Sequence, residues 1–252
     1  KKLLNPKDVY CLVNTKKSLE NIRKNYKYDI NIFQANSKDS EIIWDCKVKL
    51  LAVKPQQIKN IIELEKNKNK NKINNNNLLV SILAGVSLEK LIKRFPNHKC
   101  VRVVTNIPIT IGKGLTGISW GDEITEDQKQ LIRRLFKNSS KIYEFPEDLL
   151  DIFLALTSSG PAIIALIIEA LSDGGLSGGL QKQLSEELVT EMILGTVSLI
   201  RESNLTTAEL KNRVTSPGGT TISALRVLEN RSLRSALIEA VVSASNRSKE
   251  FR

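Results

Sequence analysis

Val214-Thr215-Ser216-Pro217-Gly218-Gly219-Thr220-Thr221 runs directly into a helical pattern. Ser216 suits an N-cap and Pro217 the first helical position. Gly218 and Gly219 carry no Cβ, so a ligand can approach their backbone. The first turn of a helix offers unpaired N–H groups and a positive dipole end, which together attract anions. Thr220 and Thr221 add hydroxyls that donate and accept. The stretch reads as a cradle for a small anion with a polar handle beside it. A capped helix start without a ligand is the plainer alternative.

The flanking sequence shows the same device again. Thr157-Ser158-Ser159-Gly160-Pro161-Ala162 places small hydroxyl residues, a glycine and a proline before Ile163–Leu171. That run is apolar nearly all round, with Glu169 its one charge, and such a helix needs burial on every side. A domain of about 100 residues rarely covers a helix so fully, so a second subunit is implied. Leu180, Leu184 and Leu188, and then Leu233, Leu237 and Val241, repeat at four-residue spacing. From about Pro146 onward no strand pattern appears, and the predicted architecture is a small all-α dimerising domain.

Working back towards the N-terminus, short apolar runs alternate with helical stretches. Strands are expected at Val9–Val13, Ile30–Phe33, Val48–Val53, Leu78–Leu83 and Cys100–Val104. Helices are expected at Ser18–Tyr26, Asp39–Asp45, Gln56–Lys66 and Ser87–Arg94. This rhythm predicts a parallel α/β sheet with helices on both faces. Ligands of such sheets lie beyond the carboxyl ends of the strands. Here those ends are Asn14-Thr15-Lys16, Val53-Lys54-Pro55, Leu83-Ala84-Gly85 and Thr105-Asn106-Ile107-Pro108.

Composition narrows the function. The chain has 252 residues, 41% of them apolar. It shows no uninterrupted apolar run of about 18 residues and no signal-peptide core, so a membrane span is not expected. Cys11, Cys46 and Cys100 are scattered, and Cys46 and Cys100 are read as buried, reduced thiols of a cytoplasmic protein. His98 is the single histidine and is read as a solvated loop residue. A histidine triad and a multi-histidine metal site are excluded. The net charge of +11 invites a nucleic-acid reading. It is set aside because four lysines fall in the run Lys66–Asn77, read as a mobile surface loop, and no recognition motif accompanies the charge.

The segments Leu156–Ala162, Ile168–Gly175, Val214–Glu229 and Arg234–Val241, with Leu51–Gln56 and Ser81–Val86 upstream, resemble pyrroline-5-carboxylate reductase, which catalyses the last step of proline biosynthesis. The resemblance spans nearly the whole chain. It implies a Rossmann-like domain at 1–146, incomplete at its N-terminus, and an α-helical dimerisation and substrate-binding domain at 147–252. It also implies interleaved subunits in a homodimer and allows a higher assembly of dimers.

The implied reaction is hydride transfer from NADPH or NADH to the C=N carbon of a cyclic imine, with no metal. Gly218, Gly219 and Thr220 would receive the substrate carboxylate, with Ser216 beside them. Thr221 would set its hydroxyl at the ring nitrogen as the catalytic group. On the cofactor side stand Asn14, Thr15 and Lys16, then Ala52, Val53, Lys54 and Pro55, with Asn106 towards the nicotinamide. Lys16 or Lys17 would meet a 2′-phosphate, which favours NADPH.

Departures from the family pattern weaken the cofactor side. The G-x-G-x-x-G turn is missing, and the first strand read here matches the family's second, so one βα unit of about 25–30 residues is not seen. Val104-Thr105-Asn106-Ile107-Pro108 stands where the family has M-P-N-T-P, and Asp39 stands where an Asn is usual. Weak cofactor binding is the expectation for this stretch. Either it is a fragment or mis-started product, or it is a non-catalytic remnant serving as a dimeric scaffold. A hydroxyacid dehydrogenase is disfavoured by the SPGGTT segment and by the lack of a well-placed lysine in the helical half.

Overall fold

The computed structural model describes residues 4–68 and 77–250. The core of the lysine–asparagine run, residues 69–76, lies outside the described residues. The chain divides into two compact units. One ends at Leu154 and takes in the chain again from Asn246; the other is Ala155–Ser245.

The first unit is α/β. Strands β1 (Tyr10–Val13) and β2 (Asn31–Gln34) form a parallel pair. Strands β3 (Val48–Leu51), β4 (Asn77–Ser81), β5 (His98–Thr105), β6 (Gly114–Trp120) and β7 (Ser140–Glu144) form a second sheet in that order. Pairing is parallel from β3 through β5 and from β6 to β7, but β6 runs antiparallel to β5. Helices α1 (Lys16–Asn25), α2 (Ile58–Lys68), α3 (Leu88–Arg94) and α4 (Glu126–Lys137) connect them. Between β2 and β3, the short helix expected at Asp39–Asp45 is a 3-10 helix, Lys38–Asp45.

Sequence reading missed the closing β6–α4–β7 segment, although its signals are local. Thr125 caps α4 by accepting from the Gln128 N–H, and the Gln128 side chain accepts in return from the Thr125 N–H. The antiparallel turn into β6 is pinned by Asn106, whose Oδ1 accepts from the Leu115 N–H at 2.8 Å.

The unbroken apolar runs of β4 and β5 belong to strands covered on both faces. Leu79 and Cys100 face Ile58 of α2 and Leu91 of α3 on one side, while Leu78, Val80, Val101 and Val103 meet Ile132 of α4 on the other. Val104 packs with Leu150 and Phe153 of the next helix, α5 (Leu150–Thr157). Gly117 lets that helix approach β6, since a Cβ there would lie 2.8 Å from the Phe153 ring.

Two expectations about side chains are corrected. His98 is the first residue of β5, not a solvated loop residue, and its side chain is 2% exposed. The apolar pattern of the following residues extends the strand back to it and carries it beneath α2, where it stacks edge-on against Phe95. Burial, reinforced by the Lys49 ammonium, pushes its pKa down to about 4, so the ring is neutral. Glu65 lies 3.3 Å from Nδ1 without the geometry of a hydrogen bond. The second correction concerns the thiols. Cys100 is buried and its pKa is pushed up to about 12, whereas Cys46 is only half-buried.

The second unit is helical. It contains α6 (Gly160–Ser177), α7 (Lys182–Ser203), α8 (Thr207–Arg213), α9 (Thr220–Asn230) and most of α10 (Leu233–Glu250). Gly175 brings α6 and α7 together, for a Cβ there would meet the Ser185 hydroxyl, which donates to the Ser172 carbonyl at 2.7 Å. The apolar side chains Leu166, Leu188, Met192 and Leu194 remain exposed in the single chain.

The stretch Glu147–Ser177 is long and apolar enough, by length and composition, to cross a membrane. The sequence reading sought an uninterrupted apolar run and so passed over it. The stretch is divided between α5 and α6 by Ser158-Ser159.

Candidate active site

The helix that carries the glycine-rich motif starts later than its sequence predicts. Gly219, not Ser216, is the N-cap of α9, and Thr220, not Pro217, is its first residue. The reason is a tight turn that competes with the helix. The Gly219 N–H donates to the Ser216 carbonyl at 3.1 Å, and Gly218 takes φ +67°. Proline followed by a left-handed glycine is the pattern of a type II turn. Ser216 therefore opens the turn instead of capping the helix.

The shift keeps backbone donors at the start of the helix, as an anion cradle requires. Gly218, Gly219, Thr220 and Thr221 lie on one turn and the first helical residues after it; the Gly219 N–H closes the turn, while those of Thr220 and Thr221 have no partner within the helix. The α9 N-cap side chain is a hydrogen atom, so nothing on the helix competes for those donors. The hydroxyls matter as well. Helical Thr190 and Thr196 donate to carbonyls four residues back, at 2.6 and 2.8 Å. Thr221 has no helical carbonyl four residues behind it, and its half-buried hydroxyl has no hydrogen-bond partner among the described residues. A hydroxyl kept free beside unpaired N–H groups can serve a ligand that has both a negative charge and a polar ring atom. The related turn at Thr157–Ala162 also starts a helix: Ser159 is the N-cap of α6 and Pro161 sits within its first two positions.

In the α/β unit the residues expected at the cofactor follow the carboxyl ends of parallel strands. Asn14, Thr15 and Lys16 follow β1, and Ala52–Pro55 follow β3. Asn14 and Lys16 are exposed, and Thr15 is the N-cap of α1, its Oγ1 accepting from the Ser18 N–H at 3.1 Å. Ala52 and Lys54 are exposed, while Val53 and Pro55 are half-buried. Small uncharged side chains for close approach, an amide and two ammonium groups form a donor set that fits an anionic dinucleotide. Asp39, also exposed, adds an acceptor only. Asn106 is buried, with its Oδ1 committed to the β6 backbone.

After β4 the loop is tightly held. Ser81 is fully buried and its Oγ accepts from the Leu83 N–H at 3.3 Å. Leu83 and Val86 point into the core, Gly85 takes φ +70°, and Ser87 caps α3 through the Lys90 N–H. Ala84 is exposed at the tip.

Sequence reasoning did not find the buried charge network beside this loop. Arg102 on β5 is fully buried and donates to Glu147 Oε1 at 2.9 Å and to Asp151 Oδ1 at 3.0 Å. Ser248 of α10 donates to the same Asp151 oxygen at 3.0 Å. A charged residue inside Val101-Arg102-Val103-Val104 was the available signal, because an arginine in a two-sided apolar strand must find carboxylates.

Comparisons with known proteins found a family model, curated relatives and solved structures similar to this chain. The family model described as pyrroline-5-carboxylate reductase dimerisation matches residues 147–251. A pyrroline-5-carboxylate reductase of Synechocystis sp. is 39% identical over 224 residues, spanning 89% of this chain and 81% of that protein. The crystal structure of the Plasmodium falciparum pyrroline carboxylate reductase with NADP bound matches with a TM-score of 0.84 at 27% identity, covering 98% of this chain and 88% of that one. A pyrroline-5-carboxylate reductase from Coxiella burnetii matches with a TM-score of 0.81 at 30% identity, over 98% of this chain and 89% of that one. With relatives this similar along most of their length, and with the glycine-rich turn inside the matched segment, the chain belongs to the pyrroline-5-carboxylate reductase family.

Proposed function

We propose that this protein reduces the cyclic imine 1-pyrroline-5-carboxylate to L-proline with NADPH, as the last step of proline biosynthesis. The observation that carries the reading is the turn Ser216–Gly219 leading into α9, with its unpaired N–H groups and the free Thr221 hydroxyl. The N–H groups of Gly218 and Thr220 hold the substrate carboxylate, flanking the Gly219 N–H that closes the turn on the Ser216 carbonyl. The Thr221 hydroxyl hydrogen-bonds the ring nitrogen and orients the iminium, in which that nitrogen carries the proton it keeps in the product. When bound, the reduced nicotinamide supplies a hydride to the C=N carbon. A protonated imine is already electrophilic, so the protein's task is position, which is the main source of rate when reacting atoms are held at about 3–3.5 Å.

Asn14, Thr15, Lys16, Ala52, Val53, Lys54 and Pro55 would hold the dinucleotide, with Asn106 shaping the loop near its nicotinamide end. The exposed ammonium groups of Lys16 and Lys17 favour a 2′-phosphate, and the P. falciparum relative was solved with NADP bound. In this reading residues 1–146 carry the cofactor, and residues 147–252 carry the substrate and dimerise. The exposed apolar side chains of α6 and α7 are the surface a second copy covers, and the match to a dimerisation domain supports a second copy over a lipid bilayer. A higher assembly of dimers and a cytoplasmic location belong to the same proposal.

The test is steady-state reduction of the imine by the purified enzyme. Thr221→Ala and Thr221→Val are expected to lower kcat/KM by about 10–100-fold, the worth of a lost hydrogen bond to a charged group that also orients the ring. Thr221→Ser should keep most of the rate. Wild-type turnover by the alanine and valine variants would show that Thr221 serves only the helix start.

A further inference from the structure

We infer that Glu147 is a positioning residue for the loop between β4 and α3, and through it for the bound dinucleotide. The inference rests on the reading that the carboxyl ends of the parallel strands form the cofactor site. It starts from a backbone donor. The Leu88 N–H is the first of α3 and has no partner within the helix. It donates to Glu147 Oε1 at 2.8 Å, a residue 59 positions later in the chain. The carboxylate is thus bonded to the point where the loop ends, and its negative charge suits a helix N-terminus.

Glu147 is itself fixed. The same oxygen accepts from Arg102 at 2.9 Å, and the Arg102 fork reaches on to Asp151, which Ser248 also holds. Arg102 lies wholly inside the protein, on the central strand β5. The loop therefore has one end continuous with β4 and the other bonded, through one carboxylate, to β5, α5 and α10. Between these points only Ala84 and half-buried Ile82 and Ser87 reach solvent, on the side where β4 ends. Loosening the Leu88 anchor frees the start of α3 and the loop before it, while the sheet below is held by its own ladder. Glu147 does not touch the reacting atoms in this scheme. It sets the shape of the surface on which the dinucleotide rests.

The experiment compares Glu147→Ala with Glu147→Gln. The glutamine keeps an oxygen able to accept from the Leu88 N–H; the alanine removes it. Two quantities are read: hydrogen exchange at the Leu88 amide relative to the Val101 amide in the sheet, and the Kd for NADPH by fluorescence titration. In the alanine variant Leu88 protection is expected to fall by about tenfold or more relative to Val101, as for loss of a hydrogen bond to a charged group. NADPH binding should weaken by about tenfold, while KM for the imine stays within about twofold. The glutamine variant should retain Leu88 protection and most of the affinity. Glu147→Asp, which withdraws the carboxylate by one methylene, should loosen Leu88 as the alanine does and substitutes for it if the alanine variant fails to fold.

Unchanged Leu88 protection in Glu147→Ala or Glu147→Asp overturns the inference. So does a glutamine variant as loose as alanine, or an equal rise in the constants for both substrates. A wild-type protein that binds NADPH but does not reduce the imine refutes the proposed reaction while leaving this inference to stand on exchange and affinity. A wild-type protein that does not bind NADPH overturns the inference as well.

Discussion

Replacing Leu166 by aspartate should convert the protein to monomers without unfolding the helical unit. Leu166 lies in the middle of α6 and is 65% exposed in the single chain. Fully burying a leucine is worth about 1.5–3 kcal/mol, so covering the exposed part of Leu166 contributes about 1–2 kcal/mol per copy. Leu166→Ala removes most of that. A two-fold dimer counts it twice, giving about 2–4 kcal/mol and a Kd weakened roughly 30- to 1000-fold. Leu166→Asp loses the same contribution and also places a carboxylate in an apolar interface. Keeping it there requires protonation at a pKa raised by about 3 units or more, a further cost of about 4 kcal/mol per copy at neutral pH. The total, about 10 kcal/mol per dimer, exceeds the roughly 8 kcal/mol of a micromolar dimer and would weaken a nanomolar one to a Kd above about 1 mM. Sedimentation equilibrium at micromolar concentration, with far-UV circular dichroism to confirm helix content, reads the outcome. The order wild type, alanine, aspartate is the expected ranking of affinity. An aspartate variant that remains a dimer with unchanged Kd would show that the second copy does not cover α6, and the argument from exposed apolar helices would fail.

Two further outcomes test the α/β unit. Gly117→Ala should lower stability by about 1–3 kcal/mol, because its Cβ would lie 2.8 Å from Phe153 ring carbons and 3.0 Å from Leu150 Cδ2. Adding Phe153→Leu should offset part of the loss, and strict additivity of the two in urea denaturation would refute the proposed clash. His98, with its folded pKa near 4 against an ordinary 6.5, binds its proton in the unfolded chain first. Its contribution is therefore intact above pH 6.5 and declines as pH falls towards 4, by about 3 kcal/mol in all. His98→Leu should flatten that part of the stability–pH curve, and an unchanged difference between wild type and variant at pH 7 and pH 4.5 would rule it out.

Local physics made much of the molecule legible in the sequence. Alternating apolar runs and breaks located β1 to β5 and α1 to α3 because strand and helix periods are properties of short segments. The nearly all-apolar run Ile163–Leu171 announced a helix needing a partner, and SPGGTT announced a helix start close to its glycines. Tertiary structure decided what depends on residues far apart in the chain. Ser216 looks like an N-cap, but the Pro217-Gly218 turn captures its carbonyl and moves the helix start to Thr220. His98 looks like a loop residue because Pro96 and Asn97 precede it, yet register with Asn77 places it at the buried start of β5. Arg102 looks misplaced in a strand until Glu147 and Asp151, 45 and 49 residues later, arrive beside it. Periodicity and capping operate within about one turn of chain, so sequence records them directly. Burial and charge pairing are set by which distant segments meet, and they are fixed only when the sheet and its helices close over one another.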